Sequence, residues 1–424
     1  MPKLLKNYFD YFLIYLVIAF SVVPFFSSNK ILLVFVTALL IITSVIKSNA
    51  SITINKSYLQ ILLLLALMYV GQIYTLNIDK IDLKSIFGTY IRFSFPFFAM
   101  TTVGQSFIKK FIKLNYSLGI IVIVIWLLEN IIPQLGSAIQ EISKSLALDT
   151  ESNENILIYN AEQKHSPFGL LKSSGFAYEG GAYSIILIIA LMFNFIETRT
   201  FNNKESFIFI ANILATFSTA GYVTLSILVI SSMLLFNSRN TVKLILIFVM
   251  LILMTSYTII NFSFLGEKII SQIQIAQDDQ YSTRGRFASA QADLIEWTRN
   301  PIFGVGKFDA TRFGVFTDEV EQHRVNGVAD FLAKFGAVFF IGFYYIMYKS
   351  FKKYCKINKL KSDFPIYLFF IVIILLSFAQ IANQWPVYTL FLYLTIIKTH
   401  QKQDLLKGSF EKMANQNTLE IEFK

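Results

Sequence analysis

Arg284 and Arg286 stand one residue apart just ahead of a stretch with helical periodicity. A planar guanidinium fork binds phosphate oxygens two at a time, so such a pair suits a diphosphate; holding lipid headgroups or an acidic neighbour such as Asp278 would serve as well. Further on, His323, Asp330 and Lys334 are spaced i, i+7 and i+11. If the apolar helix that follows begins early, the three fall within about 20° of one another at 3.6 residues per turn, with Asn326 about 60° away. A histidine at a span mouth with an acid and a base below it can act as a general base near neutral pH. The plainer reading is a loop histidine and an i,i+4 ion pair between Asp330 and Lys334. Lys172 and Glu179 lie in Lys172-Ser173-Ser174-Gly175-Phe176-Ala177-Tyr178-Glu179-Gly180-Gly181, just before another apolar run. Glu179 is there an alternative base, or a carboxylate answering a helix dipole. Arg92 sits six residues into an apolar run, roughly 9 Å deep at 1.5 Å per residue. An intramembrane arginine is costly and points to function, or else to a structural partner such as Glu129.

The elements that must hold these residues are apolar helices. Of 424 residues, 55% are hydrophobic and only 15% charged, with 43 Phe and 21 Tyr; mean hydropathy is +0.57. Soluble domains carry about a quarter charged residues, so this is an all-α, polytopic membrane protein. Twelve spans are expected, at 9–26, 30–46, 58–76, 86–104, 116–133, 181–197, 207–220, 222–236, 243–262, 327–348, 365–382 and 385–397. The seventh and eighth are short and meet at Ser218-Thr219-Ala220-Gly221, which reads as a tight reversal or a broken helix. Residues 1–398 form one transmembrane domain, and 399–424 a polar cytoplasmic tail. With both termini in the cytoplasm, the inside segments carry 22 Lys and Arg against 3 in the short outside loops. The net charge of +10 is therefore topology, with no call for nucleic acid. Two outward-facing loops are long, about 135–180 and 263–326. The second holds Phe287, Ala290, Leu294 and Trp297 at helical spacing, a short amphipathic helix able to lie on the membrane surface. Asn300-Pro301 ends it, and Gly304 and Gly306 make its exit flexible.

Most soluble-enzyme signatures are missing. Phe303-Gly304-Val305-Gly306-Lys307 is no P-loop, since Pro301 and Phe308 occupy two of its defining positions. There is no zinc-protease motif and no nucleophile elbow, and the single Cys355 excludes a disulfide framework or cysteine cluster. No metal and no cofactor are expected.

Four segments together resemble the O-antigen polymerase and ligase superfamily of bacterial membrane glycosyltransferases. Lys172 to Gly181 resembles its Arg-x-Ser-Gly-Phe-x-x-Glu-Pro element. Ala215-Thr216-Phe217-Ser218-Thr219-Ala220-Gly221-Tyr222 resembles Thr-x-Ser-Thr-x-Gly-Tyr. Arg284-Gly285-Arg286 with Asn300-Pro301-Ile302-Phe303-Gly304-Val305-Gly306 resembles the Gly-Arg…Asn-Pro-Leu-Phe-Gly-Val-Gly loop. His323-Arg324-Val325-Asn326, continuing to Phe331-Leu332-Ala333-Lys334-Phe335-Gly336, resembles His-Asn-x-x-Leu…Gly. Lys172 stands where the family usually has Arg, Gly180 where Pro is common, and Arg324 where Asn is frequent.

The resemblance implies metal-independent, inverting glycosyl transfer at the outer face of the bacterial cytoplasmic membrane. Donor and acceptor would be glycans on undecaprenyl diphosphate, with a chain-length regulator and a flippase as candidate partners. Arg284 and Arg286 would stabilise the departing diphosphate, with His323 as the favoured base and Glu179 its alternative. Lys172, Arg92, Arg324, Asn326, Asp330 and Lys334 would bind substrate. Phe176–Glu179 and the Ser-Thr-Ala-Gly-Tyr turn resemble the polymerase branch; the ligase, moving polymer onto lipid A core, is the close alternative. A lipid-linked oligosaccharide flippase or transporter is the alternative from another class. Such a protein should place its polar groups near the bilayer midplane, whereas these charges crowd one boundary.

Overall fold

The computed structural model describes residues 3–47, 55–76, 82–146, 155–161, 166, 169–235, 286–307, 309–312, 325–360 and 362–396. The span expected at 243–262, the residues Arg284, His323 and Arg324, and the tail 399–424 lie outside the described residues. Within them the fold is helical, with no strand. In chain order the helices are α1 (Lys3–Val22), α2 (Pro24–Ser28), α3 (Lys30–Lys47), α4 (Lys56–Thr75), α5 (Leu83–Val103), α6 (Phe107–Ile131), α7 (Pro133–Ser145), α8 (Gly180–Thr198), α9 (Lys204–Ala215), α10 (Thr219–Leu235), α11 (Arg286–Thr298), α12 (Asp309–Arg312), α13 (Gly327–Ile357), α14 (Asp363–Ala379) and α15 (Pro386–Thr389).

Five helical segments among the described residues are long and apolar enough to cross a membrane: Leu4–Val22, Lys56–Thr75, Leu83–Ile131, Gly180–Thr198 and Gly327–Ile357. Lys30–Val45, Thr219–Met233 and Asp363–Ala379 are shorter apolar helices. Helix α8 is the centre of the bundle, buried along nearly its whole length. It packs on α6, α9 and α10, while α1 packs on α5 and α6, α3 on α5, and α4 on α13.

Several expected boundaries need correction. The run Leu83–Ile131 holds two expected spans, 86–104 and 116–133, joined by a single 3-10 turn at Gly104–Ser106. The expected loop 135–180 begins later, because Pro133 at the first helical position starts α7 directly after α6. The span expected at 207–220 is a helix of 12 residues, about 18 Å long and short of a bilayer core. The chain breaks at Thr216–Ser218, ahead of the expected 218–221. There the Tyr222 hydroxyl donates to the Leu214 carbonyl at 2.7 Å and satisfies a helix end.

The last expected span, 385–397, is not one helix. After α15 come a 3-10 turn at Leu390–Leu392 and further turns to Ile396. Val387, Tyr388 and Leu390 to Leu394 are all fully buried, and irregular backbone is tolerated at membrane depth where protein surrounds it. The Val387 N–H donates to the Ser21 hydroxyl of α1 at 3.0 Å, so the first and last described segments pack together.

Helix α13 is broken at Gly336, whose φ of 72° and ψ of 170° are not helical. A break leaves backbone groups on both sides without helical partners, each costing several kcal/mol in hydrocarbon. The segment Pro301–Gly306 supplies them. Val305 and Gly306 N–H donate to the Ala333 and Lys334 carbonyls at 2.9 and 3.1 Å; in return, Ala337 and Val338 N–H donate to the Pro301 and Ile302 carbonyls at 2.9 and 3.2 Å. From α4, the Gln72 amide donates to the carbonyls of Phe303 (2.7 Å) and Lys334 (2.9 Å) and joins the two chains. Gly304 and Gly336 permit this approach: a Cβ on Gly336 would lie 2.3 Å from the Ile302 carbonyl oxygen, and one on Gly304 2.5 Å from the Gly336 nitrogen. Gly304 is thus a close-contact position and Gly306 is bonded to the Lys334 carbonyl, so this is not the flexible exit expected. Phe335 and Phe339 meet across the break at 5.1 Å between ring centroids, and Phe331 and Phe343 at 4.8 Å, which keeps its two halves in register.

Gly336→Ala combines a left-handed backbone with a backbone clash, each of order 1–3 kcal/mol. A fall of several degrees in the apparent Tm of the detergent-purified protein is expected, while an unchanged melting curve would contradict the threaded break.

Candidate functional site

Glu179 is positioned by a segment with little regular structure, whose backbone groups are bonded elsewhere. The Leu171 N–H donates to the Asn130 side-chain oxygen, and the Trp126 indole to the Leu171 carbonyl. Ser173 N–H donates to the Ala215 carbonyl at 2.9 Å, tying this segment to the 215–222 turn. The Asn155 and Asn160 amides donate to the Phe176 and Ala177 carbonyls, and Tyr178 N–H reaches the Val22 carbonyl at 3.1 Å. Glu179 is then the N-cap residue of α8, yet its side chain does not cap the helix. It accepts instead from the Gln380 amide, whose oxygen accepts from the Tyr178 hydroxyl at 3.4 Å. Burial lowers the Arg286 guanidinium from its ordinary pKa, and the Glu179 charge opposes that fall. Glu179 and Arg286 are therefore brought into one electrostatic environment, while Lys172, half-buried, stands at the start of the segment.

The mouth of α13 differs from expectation. Asn326 is its N-cap, in extended conformation, and its side-chain oxygen accepts from Val328 and Ala329 N–H at 3.1 and 3.0 Å. The helix therefore starts at Gly327, which removes the reason for placing His323 on one helical face with Asp330 and Lys334. Asp330 and Lys334 do form their i,i+4 ion pair, at 2.7 Å. Asp330 also holds Arg312 at 2.7 Å, and Arg312 reaches Asp293 at 2.7 Å and Glu296 at 3.2 Å. Burial acts to lower the Arg312 pKa, but Asp330, Asp293 and Glu296 together hold it above its usual value.

This network also corrects the reading of the amphipathic helix. The face of α11 turned into the protein carries Ala288, Ser289, Ala292, Asp293 and Glu296, whereas Leu294 and Ile295 are exposed. The acidic face is drawn inward because Arg312 is there to receive it, and the apolar residues are left for the membrane surface.

Arg92 lies deeper than expected. Asp82 caps α5 by accepting from Lys84 N–H at 2.9 Å, so Arg92 is nine residues beyond Leu83, roughly 14 Å along the helix. Glu129 is engaged by the Tyr159 hydroxyl. Arg92 instead lines a cavity of about 230 Å³ together with Lys30, Ser27, Asn29, Tyr178 and Trp385, among others. Lys307 stands close enough to feel this charge: burial, then repulsion from Arg92, Lys334 and Lys30, pushes its pKa down to about 7, with Asp82 opposing.

Residues 206–344 match a family model described as O-Antigen ligase. That region, less than half of the chain, is thus similar to the O-antigen polymerase and ligase superfamily. No curated protein sequence matches it. Members of this superfamily are membrane glycosyltransferase-like enzymes. The matched region runs from α9 through the Asn300–Gly306 segment into α13, and so contains the threaded break and the Arg312 network.

Four residues of these clusters were not expected from the sequence: Gln380, Lys307, Arg312 and Lys30. Gln380 was signalled by the amides Gln380, Asn383 and Gln384 crowded between two apolar runs. Arg312 and Lys307 had no such signal, because their partners come from distant elements.

Two outcomes follow. Arg312→Met takes the guanidinium away from three buried carboxylates, and removing one partner of a buried pair costs about 3–5 kcal/mol. A sharp loss of folded protein on size-exclusion chromatography is expected, with Arg312→Lys intermediate. Lys307, with its pKa down at about 7 in the fold, binds fewer protons there than in the unfolded chain as pH rises above 7. Its destabilising charge is fully present below pH 7 and relieved above it. Wild type should therefore gain in apparent Tm relative to Lys307→Met between pH 7 and 9; parallel curves would contradict the buried lysine.

Proposed function

We propose that the chain is a polysaccharide polymerase joining undecaprenyl-diphosphate-linked repeat units at the outer face of the bacterial cytoplasmic membrane. The observation that carries this is the electrostatic interaction of Glu179, held by Gln380, with Arg286 at the head of the helix that the family match includes. A carboxylate and a guanidinium within electrostatic reach of one another suit displacement of a diphosphate by a hydroxyl.

In that reaction the acceptor sugar oxygen forms a bond to the donor's anomeric carbon with inversion. The anomeric C–O bond breaks, and its electron pair leaves with the lipid diphosphate. Arg286 and Arg284 stabilise that charge, and the acceptor proton goes to His323, with Glu179 as the alternative base. Lys172, Arg324, Asn326, Asp330 and Lys334 belong to the surrounding substrate site. Asn326 adds a buried side-chain N–H group that no described residue accepts, and Asp330 orients Lys334. The sugar arrives activated, so neither metal nor nucleotide is required. Glu179 and Arg286 lie at the same end of the bundle as the α1–α2 turn, the end that the lysine distribution turns outward.

A second reading is favoured by the description of the matched family itself: O-antigen ligation, transferring finished polymer to lipid A core.

Purified protein given synthetic undecaprenyl-diphosphate repeat units should yield a ladder of longer lipid-linked glycans. Arg284→Ala and Arg286→Ala should each reduce it about 10²-fold or more. His323→Ala should abolish it while Glu179→Gln only slows it; the reverse ranking would make Glu179 the base. Transfer only after lipid A core is added would make the protein a ligase. Movement of lipid-linked glycan across proteoliposomes, with no transfer to either acceptor, would overturn the enzyme reading.

A further inference from the structure

Residues 155–161 precede Glu179 in the outer loop and lie outside the segment matched to the family. They form a tight turn, in which Ile156 N–H donates to the Tyr159 carbonyl at 2.9 Å and Asn155 pairs with Asn160 in an isolated antiparallel bridge. Both asparagines are buried. Their N–H groups serve more than this turn. The Asn160 backbone N–H donates to the Gly175 carbonyl at 2.6 Å. The Asn155 side-chain amide donates to the Phe176 carbonyl at 2.9 Å, and the Asn160 side-chain amide to the Ala177 carbonyl at 3.0 Å. Three successive carbonyls, ending two residues before Glu179, are held from one turn.

Asparagine is the residue type this arrangement needs. The Asn155 side-chain oxygen accepts from Leu157 N–H and shapes the turn, while its nitrogen donates to Phe176. An ionised aspartate could do the first and not the second, and an apolar side chain neither. The turn itself is anchored to three helices. The Tyr15 hydroxyl of α1 donates to the Leu157 carbonyl at 3.0 Å, the Ser143 hydroxyl of α7 to the Asn155 carbonyl at 3.1 Å, and the Tyr159 hydroxyl to Glu129 of α6.

Beyond Ala177 the chain runs through Tyr178, bonded to the Val22 carbonyl, into Glu179, which is extended and leaves α8 uncapped by its side chain. Where the Glu179 carboxylate comes to rest therefore depends on where this main chain is set down. Reacting groups tolerate little error, and a misplacement of about 1 Å can cost about 10²-fold in rate.

We propose that Asn155 and Asn160 are positioning residues, which through the Phe176 and Ala177 carbonyls hold the Glu179 carboxylate in its working place for glycosyl transfer. The inference rests on the function proposed above and on the part Glu179 plays in it.

The test is steady-state glycosyl transfer by the purified full-length protein, with kcat and KM for the lipid-linked repeat unit measured separately. Asn155→Ala and Asn160→Ala each leave the other side-chain grip and the Asn160 N–H bond to Gly175 in place, so the two variants are read independently. Each should lower kcat about tenfold and leave KM within about twofold of wild type. Glu179→Gln should lower kcat at least as much. Adding Asn160→Ala to Glu179→Gln should then cost less than about twofold more, because the amide acts through that carboxylate. Tyr354→Phe, which removes a 2.8 Å bond to Glu197 at the opposite end of α8, should lower the apparent Tm and leave kcat unchanged, separating position from stability. Amide hydrogen exchange across 172–179 should quicken at least about tenfold in both asparagine variants, with residues 366–376 of α14 unchanged. Wild-type kcat in both variants, or losses that multiply in full with Glu179→Gln, would overturn the positioning role and leave the polymerase standing. Unchanged exchange across 172–179 would overturn the grip itself, with or without activity. Wild type that transfers glycan to no acceptor would overturn the function proposed above and, with it, the catalytic purpose of the grip.

Discussion

The pairing between Pro301–Gly306 and the break in α13 is the contact on which the rest of the site depends. A helix interrupted inside an apolar bundle has no water to turn to, and its open carbonyls and N–H groups must find backbone partners. Here they find them in a segment that arrives from α11, and Gln72 of α4 bonds to both at once. Three elements far apart in sequence are therefore fixed by main-chain geometry before any charged side chain is considered. Asn300 reinforces the segment from its start, donating to the Gly304 carbonyl at 2.9 Å and to the Thr75 hydroxyl at 2.7 Å.

Charge is then arranged on this frame in two different ways. Around Arg312, three carboxylates and two cations satisfy one another in a buried cluster joining α11, α12 and α13. Such a cluster fixes relative position more than it adds stability, since desolvation offsets much of the Coulomb attraction. Around Arg92 the balance is opposite: Lys30 and Arg92 share a cavity, and both repel Lys307, with Asp82 opposing. The first arrangement brings charges of both signs together. The second calls for an anion.

Much of this was legible in the sequence, and the failures have physical reasons. The helical class, the amphipathic helix ending at Asn300-Pro301, and the superfamily all followed from periodicity and from motifs read in order. The motif segments around Glu179 and Thr216 were singled out separately, and the structure ties them through the Ser173–Ala215 bond. What periodicity could not supply was direction. Phe287, Ala290, Leu294 and Trp297 suggested which face of α11 was apolar, but a distant arginine decided that the acidic face would turn inward. Gly304 and Gly306 looked like flexibility, because a close approach between two backbone segments is visible only once both are placed. The expected spans differ from the structure at the short α9 and at the irregular 386–396 segment, where burial within protein replaces regular hydrogen bonding.

That last segment has a consequence for how the protein is made. A stretch of turns and 3-10 helix cannot rest alone in lipid, because too few of its backbone groups are bonded within the stretch itself. It needs the cleft whose wall includes α1, where Ser21 receives the Val387 N–H. Helix α1 must therefore wait for residues 366 positions further along the chain. The bundle keeps an open seam until they are made, and a ribosome stalled before residue 386 would leave it open.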